Sequence, residues 1–141
     1  MLVVDTSVAV KWVVPETEAH LEVDTDIALT LLERGLIAPD CILSEFANVM
    51  FKKVRRNEIG RVQADESIAI LPDIVRLEPI SALIVPAFEL ACRLIHPVHD
   101  CLFLALAIET NVQLVSADMA FVARCRATGS SYPIIALSEY A

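Results

Sequence analysis

The chain has 141 residues, the length of one domain over residues 1–141 with a substantial buried core. Its 11 Lys and Arg stand against 19 Asp and Glu, and the formal net charge of −8 excludes binding of long nucleic acid by bulk charge while leaving room for a local basic track. A hydrophobic content of 56% and a mean hydropathy of +0.60 are high for a monomer, so some apolar surface is expected to meet a partner.

Leu2 to Val4 reads as a buried strand that reaches Asp5 at once. No basic region precedes that apolar run, so it is not expected to be a signal peptide. Thr6 or Ser7 can cap a short helix ending by Pro15. Glu16 to Arg34 has helical spacing through Val23, Ile27 and Leu31, with Gly35 as a C-terminal cap. Leu36 to Ala38 is a strand closed by Pro39. Asp40 can cap a helix to about Arg56, with Ile42, Phe46, Val49 and Met50 on its apolar face.

A further helix spans Arg61 to Leu71, and Val75 to Leu77 is a strand between Pro72 and Pro79. Ser81 to Ile95 is helical, with Pro86 forcing a late start or a kink. His96 and Pro97 break the chain before a buried helix over Val98 to Thr110. Val112 to Ser116 is a strand, Asp118 to Arg126 a helix, and Ile134 to Ala136 a last strand. Helices alternate with continuous apolar strands, the pattern of an α/β parallel sheet covered on both faces. Uncharged stretches such as Pro79 to Phe88 fall far short of the ~20 residues of a membrane helix, and no membrane association is expected.

Four cysteines, Cys41, Cys92, Cys101 and Cys125, include no C-x-x-C pair and lie in apolar helical surroundings. They read as buried, reduced thiols of a cytoplasmic protein, not as a zinc site.

Four acidic residues carry the chemistry. Asp5 ends the first strand, Glu45 borders an apolar helix stripe, Asp100 opens the apolar helix, and Asp118 follows the fourth strand. On Asp100's helix, Phe103, Leu104 and Ala107 share its face. Taken singly, turn, cap and solvated-edge roles account for Asp5, Asp118 and Glu45. All four, however, fall at strand ends or helix starts that face one rim of a parallel sheet. A carboxylate beside apolar segments takes up a proton, finds a cation or binds a metal. With almost no Lys or Arg nearby, a shared Mg²⁺ or Mn²⁺ is the expected partner, and hydrolysis of a phosphodiester by in-line attack of water the expected reaction.

The motifs Val3-Val4-Asp5-Thr6-Ser7, Leu43-Ser44-Glu45-Phe46-Ala47-Asn48, His99-Asp100-Cys101-Leu102-Phe103-Leu104-Ala105-Leu106-Ala107 and Leu114-Val115-Ser116-Ala117-Asp118 occur in that order. In this the chain resembles PIN-domain ribonucleases, in particular the VapC-type toxins of toxin–antitoxin pairs, over essentially its whole length. The resemblance implies a three-layer α/β/α sandwich with a central parallel sheet and Mg²⁺- or Mn²⁺-dependent endoribonuclease activity on RNA. It implies metal-site roles for Asp5, Glu45, Asp100 and Asp118. Ser7 and Ser116 match small hydroxyl residues near that site, and Asn48 a polar position beside it. A homodimer and a cognate antitoxin that blocks the site are implied too. Position 99 is often Tyr and position 101 often Ala in the family; here they are His99 and Cys101.

The basic run Lys52, Lys53, Arg55 and Arg56 suits RNA phosphates, and equally suits a helix C-terminus. His96 and His99 flank Pro97 near Asp100; against a ligand or general-base role they read as loop residues or oriented donors, since oxygen sites for Mg²⁺ rarely use imidazole. His20, with Glu16, Glu18, Glu22, Asp24 and Asp26, reads as an exposed, solvated stretch. Trp12, with Val8, Val13 and Val14, reads as core or as a dimer or antitoxin surface. Two rival classes remain. A phosphate-transfer domain using Asp5 would want a second Asp where Ser7 stands, or, as a receiver, a Lys beyond Arg126. A catalytically inactive protein-binding module would not need all four acids.

Overall fold

A computed structural model of the chain describes residues 1–13 and 19–140, with the backbone alone for 19–23. Five short strands, β1 (Leu2–Val4), β2 (Leu36–Pro39), β3 (Arg76–Glu78), β4 (Gln113–Ser116) and β5 (Ile134–Ala136), form one sheet in the order β3-β2-β1-β4-β5. Every pairing is parallel, with Val3 opposite Ile37 and Leu114, and Ser116 opposite Ala136. The three inner strands are buried almost throughout, which is why their sequences are apolar runs without alternation. The edge strand β3 differs. It is half exposed, and an Arg76–Glu78 ion pair at 3.1 Å charges the open edge against further strand pairing.

Among the described residues seven helices cover the sheet: α1 (Thr6–Val13), α2 (Ala19–Thr30), α3 (Ile42–Arg55), α4 (Arg61–Ile74), α5 (Ile84–Leu94), α6 (Val98–Thr110) and α7 (Met119–Ala127). Right-handed crossovers place α1 to α4 on one face and α5 to α7 on the other, a three-layer α/β/α sandwich. α6 lies across β1, β2 and β4 and is covered outside by α5. Its residues Cys101 to Ala107 are all buried, so the helix that is apolar all round in sequence is the central helix of its layer.

Several helix ends differ from the sequence expectations. α1 begins at Thr6 because Asp5, not Thr6 or Ser7, accepts the Val8 N–H at its start. Residues 16–18 of the second expected helix lie outside the described residues, and the remainder ends in a 3-10 turn, Leu31–Glu33. Gly35 is not its cap; the Gly35 carbonyl accepts from Leu2 N–H at 2.9 Å beside the β1–β2 ladder. Asp40 does not cap α3 either: its Oδ1 accepts from Ile80 N–H at 3.2 Å, tying the end of β2 to the turn after β3. α4 runs through Pro72, which sits in its last turn, and β3 starts one residue late. α5 starts late, at Ile84, which leaves Pro86 in the first turn where its missing N–H costs little.

α5 and α6 meet at a bend of 113°. No single helix among the described residues is long and apolar enough to cross a membrane. The four thiols are free; Cys101 and Cys125 are buried and Cys41 is half-buried, but Cys92 faces solvent, contrary to the expectation for all four. Burial pushes Cys41 and Cys101 up to about 12 and Cys125 to about 11, so these three stay protonated, unreactive thiols.

Candidate functional site

The chain leaves β1 toward β2 and returns to β4 on the other side, so the sheet order reverses between β1 and β4. Beyond the carboxyl ends of those two strands a crevice must open. It holds a cleft of about 270 Å³ lined by Asp5, Thr6, Ser7, Glu45, Asp100 and Asp118, with Val10, Val49 and Phe103 as its apolar wall. The four carboxylates picked out in the sequence thus face one space, delivered by four different elements. Asp5 precedes α1, Glu45 and Asp100 lie in the first turns of α3 and α6, and Asp118 caps α7. Four helix N-termini converge there, and their backbone dipoles offset part of the mutual repulsion of the acids.

Each carboxylate has its own protein donor. Asp5 is buried, and its Oδ1 accepts from Ser7 Oγ and, at 3.3 Å, from Val8 N–H. Ser116, fully buried, donates a further hydrogen bond to Asp5 while its Oγ accepts from Asp118 N–H at 3.1 Å. Ser7 Oγ likewise accepts from Ala117 N–H at 2.9 Å. Two serines therefore bridge Asp5 to the backbone at the start of α7. Thr6 Oγ1 donates to Glu45 Oε2 at 2.8 Å. His96 Nε2 is 2.6 Å from Asp100 Oδ2, and Asp118 Oδ1 accepts from Phe121 N–H at 3.2 Å.

Burial pushes the Asp5 carboxyl up to about 6, against the three donors that pull it down. Glu45 is raised too, chiefly by burial, with the Thr6 bond opposing and the neighbouring Asp100 charge adding to the rise. No Lys or Arg contributes to either shift. Only Asp5 is deeply buried; Glu45, Asp100 and Asp118 are half-buried, opening onto the cleft.

The donor set is all oxygen and short of positive charge, which suits a hard divalent cation. Among the described residues no three His, Cys, Asp or Glu side chains are closed to ligand spacing.

The other sequence candidates fall elsewhere. Asn48 is exposed on α3 and does not line the cleft. Lys52, Arg55 and Arg56 are exposed at the end of α3, and Lys53 pairs with Glu58 at 3.2 Å. His99 is exposed at the rim, close enough for its charge to act on Glu45. Trp12 Nε1 donates to the Ala28 carbonyl at 2.7 Å, and Val8 is fully buried, so Val8 belongs to this chain's own core and not to a partner surface. Val14, His20, Glu16, Glu18 and Glu22 lie outside the described residues or side chains.

Sequence reasoning passed over Thr6 as a site residue, because a hydroxyl directly after Asp5 reads as a helix cap. Val49, four residues after Glu45, and Phe103, three after Asp100, were findable as cleft walls by helical spacing.

A parallel α/β/α sandwich with an acidic cleft at its switch point defines a class of domain whose site is built from carboxylates beyond the strand ends. Comparison with protein families narrows this: residues 2–126 match the PIN domain, and the chain belongs to that family. A comparison with curated proteins returned no match.

Proposed function

We propose that this chain is a single-domain, Mg²⁺- or Mn²⁺-dependent endoribonuclease that cuts RNA phosphodiesters and acts as the toxin of a VapC-type toxin–antitoxin pair. The observation that carries the reading is the arrival of Asp5, Glu45, Asp100 and Asp118 at one cleft from four elements. Those four side chains would hold the cation. When bound, it would supply Lewis-acid activation of water and offset charge developing on the phosphoryl oxygens.

The chain's own residues orient and insulate. Ser7, Ser116 and the Val8 N–H immobilise Asp5, and Thr6 fixes Glu45. Val10, Val49 and Phe103 limit water on one side of the cleft.

RNA would approach along α3. Lys52 and Arg56 stand seven and eleven residues after Glu45, nearly the same helix face, roughly 10 and 16 Å along the axis. This local track offsets the unfavourable net charge. Val85 and Phe88 are exposed apolar residues on α5 and suit a homodimer contact. The groove of Trp12, Val13, Phe46, Ile70 and Ile74 suits an antitoxin segment. Free thiols accord with action in the cytoplasm.

Asp5 as a phosphoacceptor is disfavoured, because its carboxylate is buried and already takes three donors. The test is cleavage of RNA by the purified protein with Mg²⁺, Mn²⁺ or chelator. Metal-dependent cleavage lost in Asp100→Asn, with folding and antitoxin binding kept, is expected. Full activity in Asp100→Asn or in chelator would overturn the assignment.

A further inference from the structure

The corner between α5 and α6 is built around one imidazole. Ile95 ends α5 in the left-handed region, at φ 52 and ψ 57, and His96 N–H reaches back to the Ala91 carbonyl at 3.2 Å. Pro97 then leads into α6. The turn brings His96 alongside Asp100, four residues on, with Nε2 2.6 Å from Oδ2. The imidazole is only 16% exposed. It stacks on Phe121 of α7, with centroids 4.7 Å apart and planes at 26°. Phe121 is itself buried, and its backbone N–H is the donor to Asp118. One aromatic pair therefore connects the seats of two cleft carboxylates from two helices.

We propose that His96 is a positioning residue for Asp100: clamped on Phe121, its Nε2–H holds Oδ2 and turns the other carboxylate oxygen to the cleft. The inference rests on the metal-site reading of the cleft. His96 Nε2 is not free to ligate, since it is committed to Asp100, and one ring face is covered by Phe121. A carboxylate hydrogen-bonded in this way loses rotational freedom and presents a fixed oxygen, the part that outer donors play in metal sites. His99 lacks this geometry: it is exposed, with no described hydrogen bond to Asp100.

The experiment separates the donor from the stack. H96F keeps an aromatic face for Phe121 and loses the N–H. H96Q keeps an N–H at similar reach and loses the stack. H96M fills the space without a donor, a second donorless variant should H96F fail to fold. Mn²⁺ affinity is measured by calorimetry, and thermal melting in chelator reports folding. H96F and H96M should each bind Mn²⁺ about tenfold more weakly than the unaltered protein, and H96Q within about threefold of it. Melting temperatures should fall in a different order, with H96Q below H96F. Wild-type Mn²⁺ affinity in a folded H96F or H96M, or affinities that simply follow the melting temperatures, overturns the positioning role alone. No Mn²⁺ binding by the unaltered protein overturns the metal reading of the cleft and this inference with it.

Discussion

Thr6 Oγ1 donates to Glu45 Oε2 at 2.8 Å across 39 residues of sequence. The residue after the buried Asp5 thereby sets the position of a carboxylate that arrives on α3. Thr6→Val keeps the β-branched shape and removes the donor. It should cost about 1 kcal/mol of stability, the usual worth of one such bond, and lower metal-dependent RNA cleavage. Thr6→Ser should recover most of both. Chemical unfolding alongside a cleavage assay checks this; unchanged cleavage in Thr6→Val would mean Glu45 needs no tether.

Asp5 makes the metal-free protein pH-sensitive. Its carboxyl rises from the usual 3.8 to about 6 on folding, so between those values the folded state binds more protons than the unfolded chain. Stability is then whole below about pH 4 and falls as pH rises through 6, by about 3 kcal/mol in total. Asp5→Asn keeps the acceptor Oδ1 and has no charge to bury. In chelator it should melt higher than the unaltered protein at pH 7.5, with the gap closing toward pH 4. Equal melting profiles for the two proteins would show that Asp5 enters the fold already ionised at no cost.

Ile95 adopts φ 52, while the other non-glycine residues in that region, among the described residues, are Asn57 and Asn111. Asn tolerates the left-handed region; a β-branched side chain does not, at a cost of roughly 1–2 kcal/mol. Ile95 is 79% exposed, so little burial is lost on removing it. Ile95→Gly should raise the melting temperature by about 2–4 °C once the added freedom of the unfolded chain is deducted. Calorimetry decides it, and a lower melting temperature would show that the Ile95 side chain contributes packing that outweighs the strain.

Charge reversal of Lys52 and Arg56 tests the proposed RNA track. In a catalytically inactive background, the double variant should lose RNA affinity relative to the unreversed protein by more at low salt than at high salt. The slope of log affinity against log salt should shrink by about 1.4 for two lost phosphate contacts on a single strand. Fluorescence anisotropy across a salt series measures it. An unchanged slope would leave these residues as counter-charges for the carboxyl end of α3.

Much of the fold was legible along the chain. Leu2–Val4, Gln113–Ser116 and Ile134–Ala136 are strands within a residue of where their apolar runs place them, because inner parallel strands bury both faces. α6 spans Val98–Thr110 as its apolar composition predicts. The four acids were legible because each stands next to an apolar run at a strand end or helix start. Asp40 and Cys92 were not legible. One turned from a cap to a distant backbone N–H, and the other sits on the solvent side of an apolar helix. Side-chain direction changes by about 100° per residue on a helix, so a small rotation set by packing decides which neighbour a residue meets.

The sequence by itself determined the alternation of strands and helices, the apolar central helix and the positions of four acids, since periodicity and burial are local properties of the chain. Only the tertiary structure decided that Thr6 serves Glu45, that two serines join Asp5 to the start of α7, and that His96 lies between Phe121 and Asp100. The Thr6, Ser7 and Phe121 contacts come together through the reversal of strand order between β1 and β4 and the seating of His96 on α7, relations between segments far apart in the chain that no local spacing encodes.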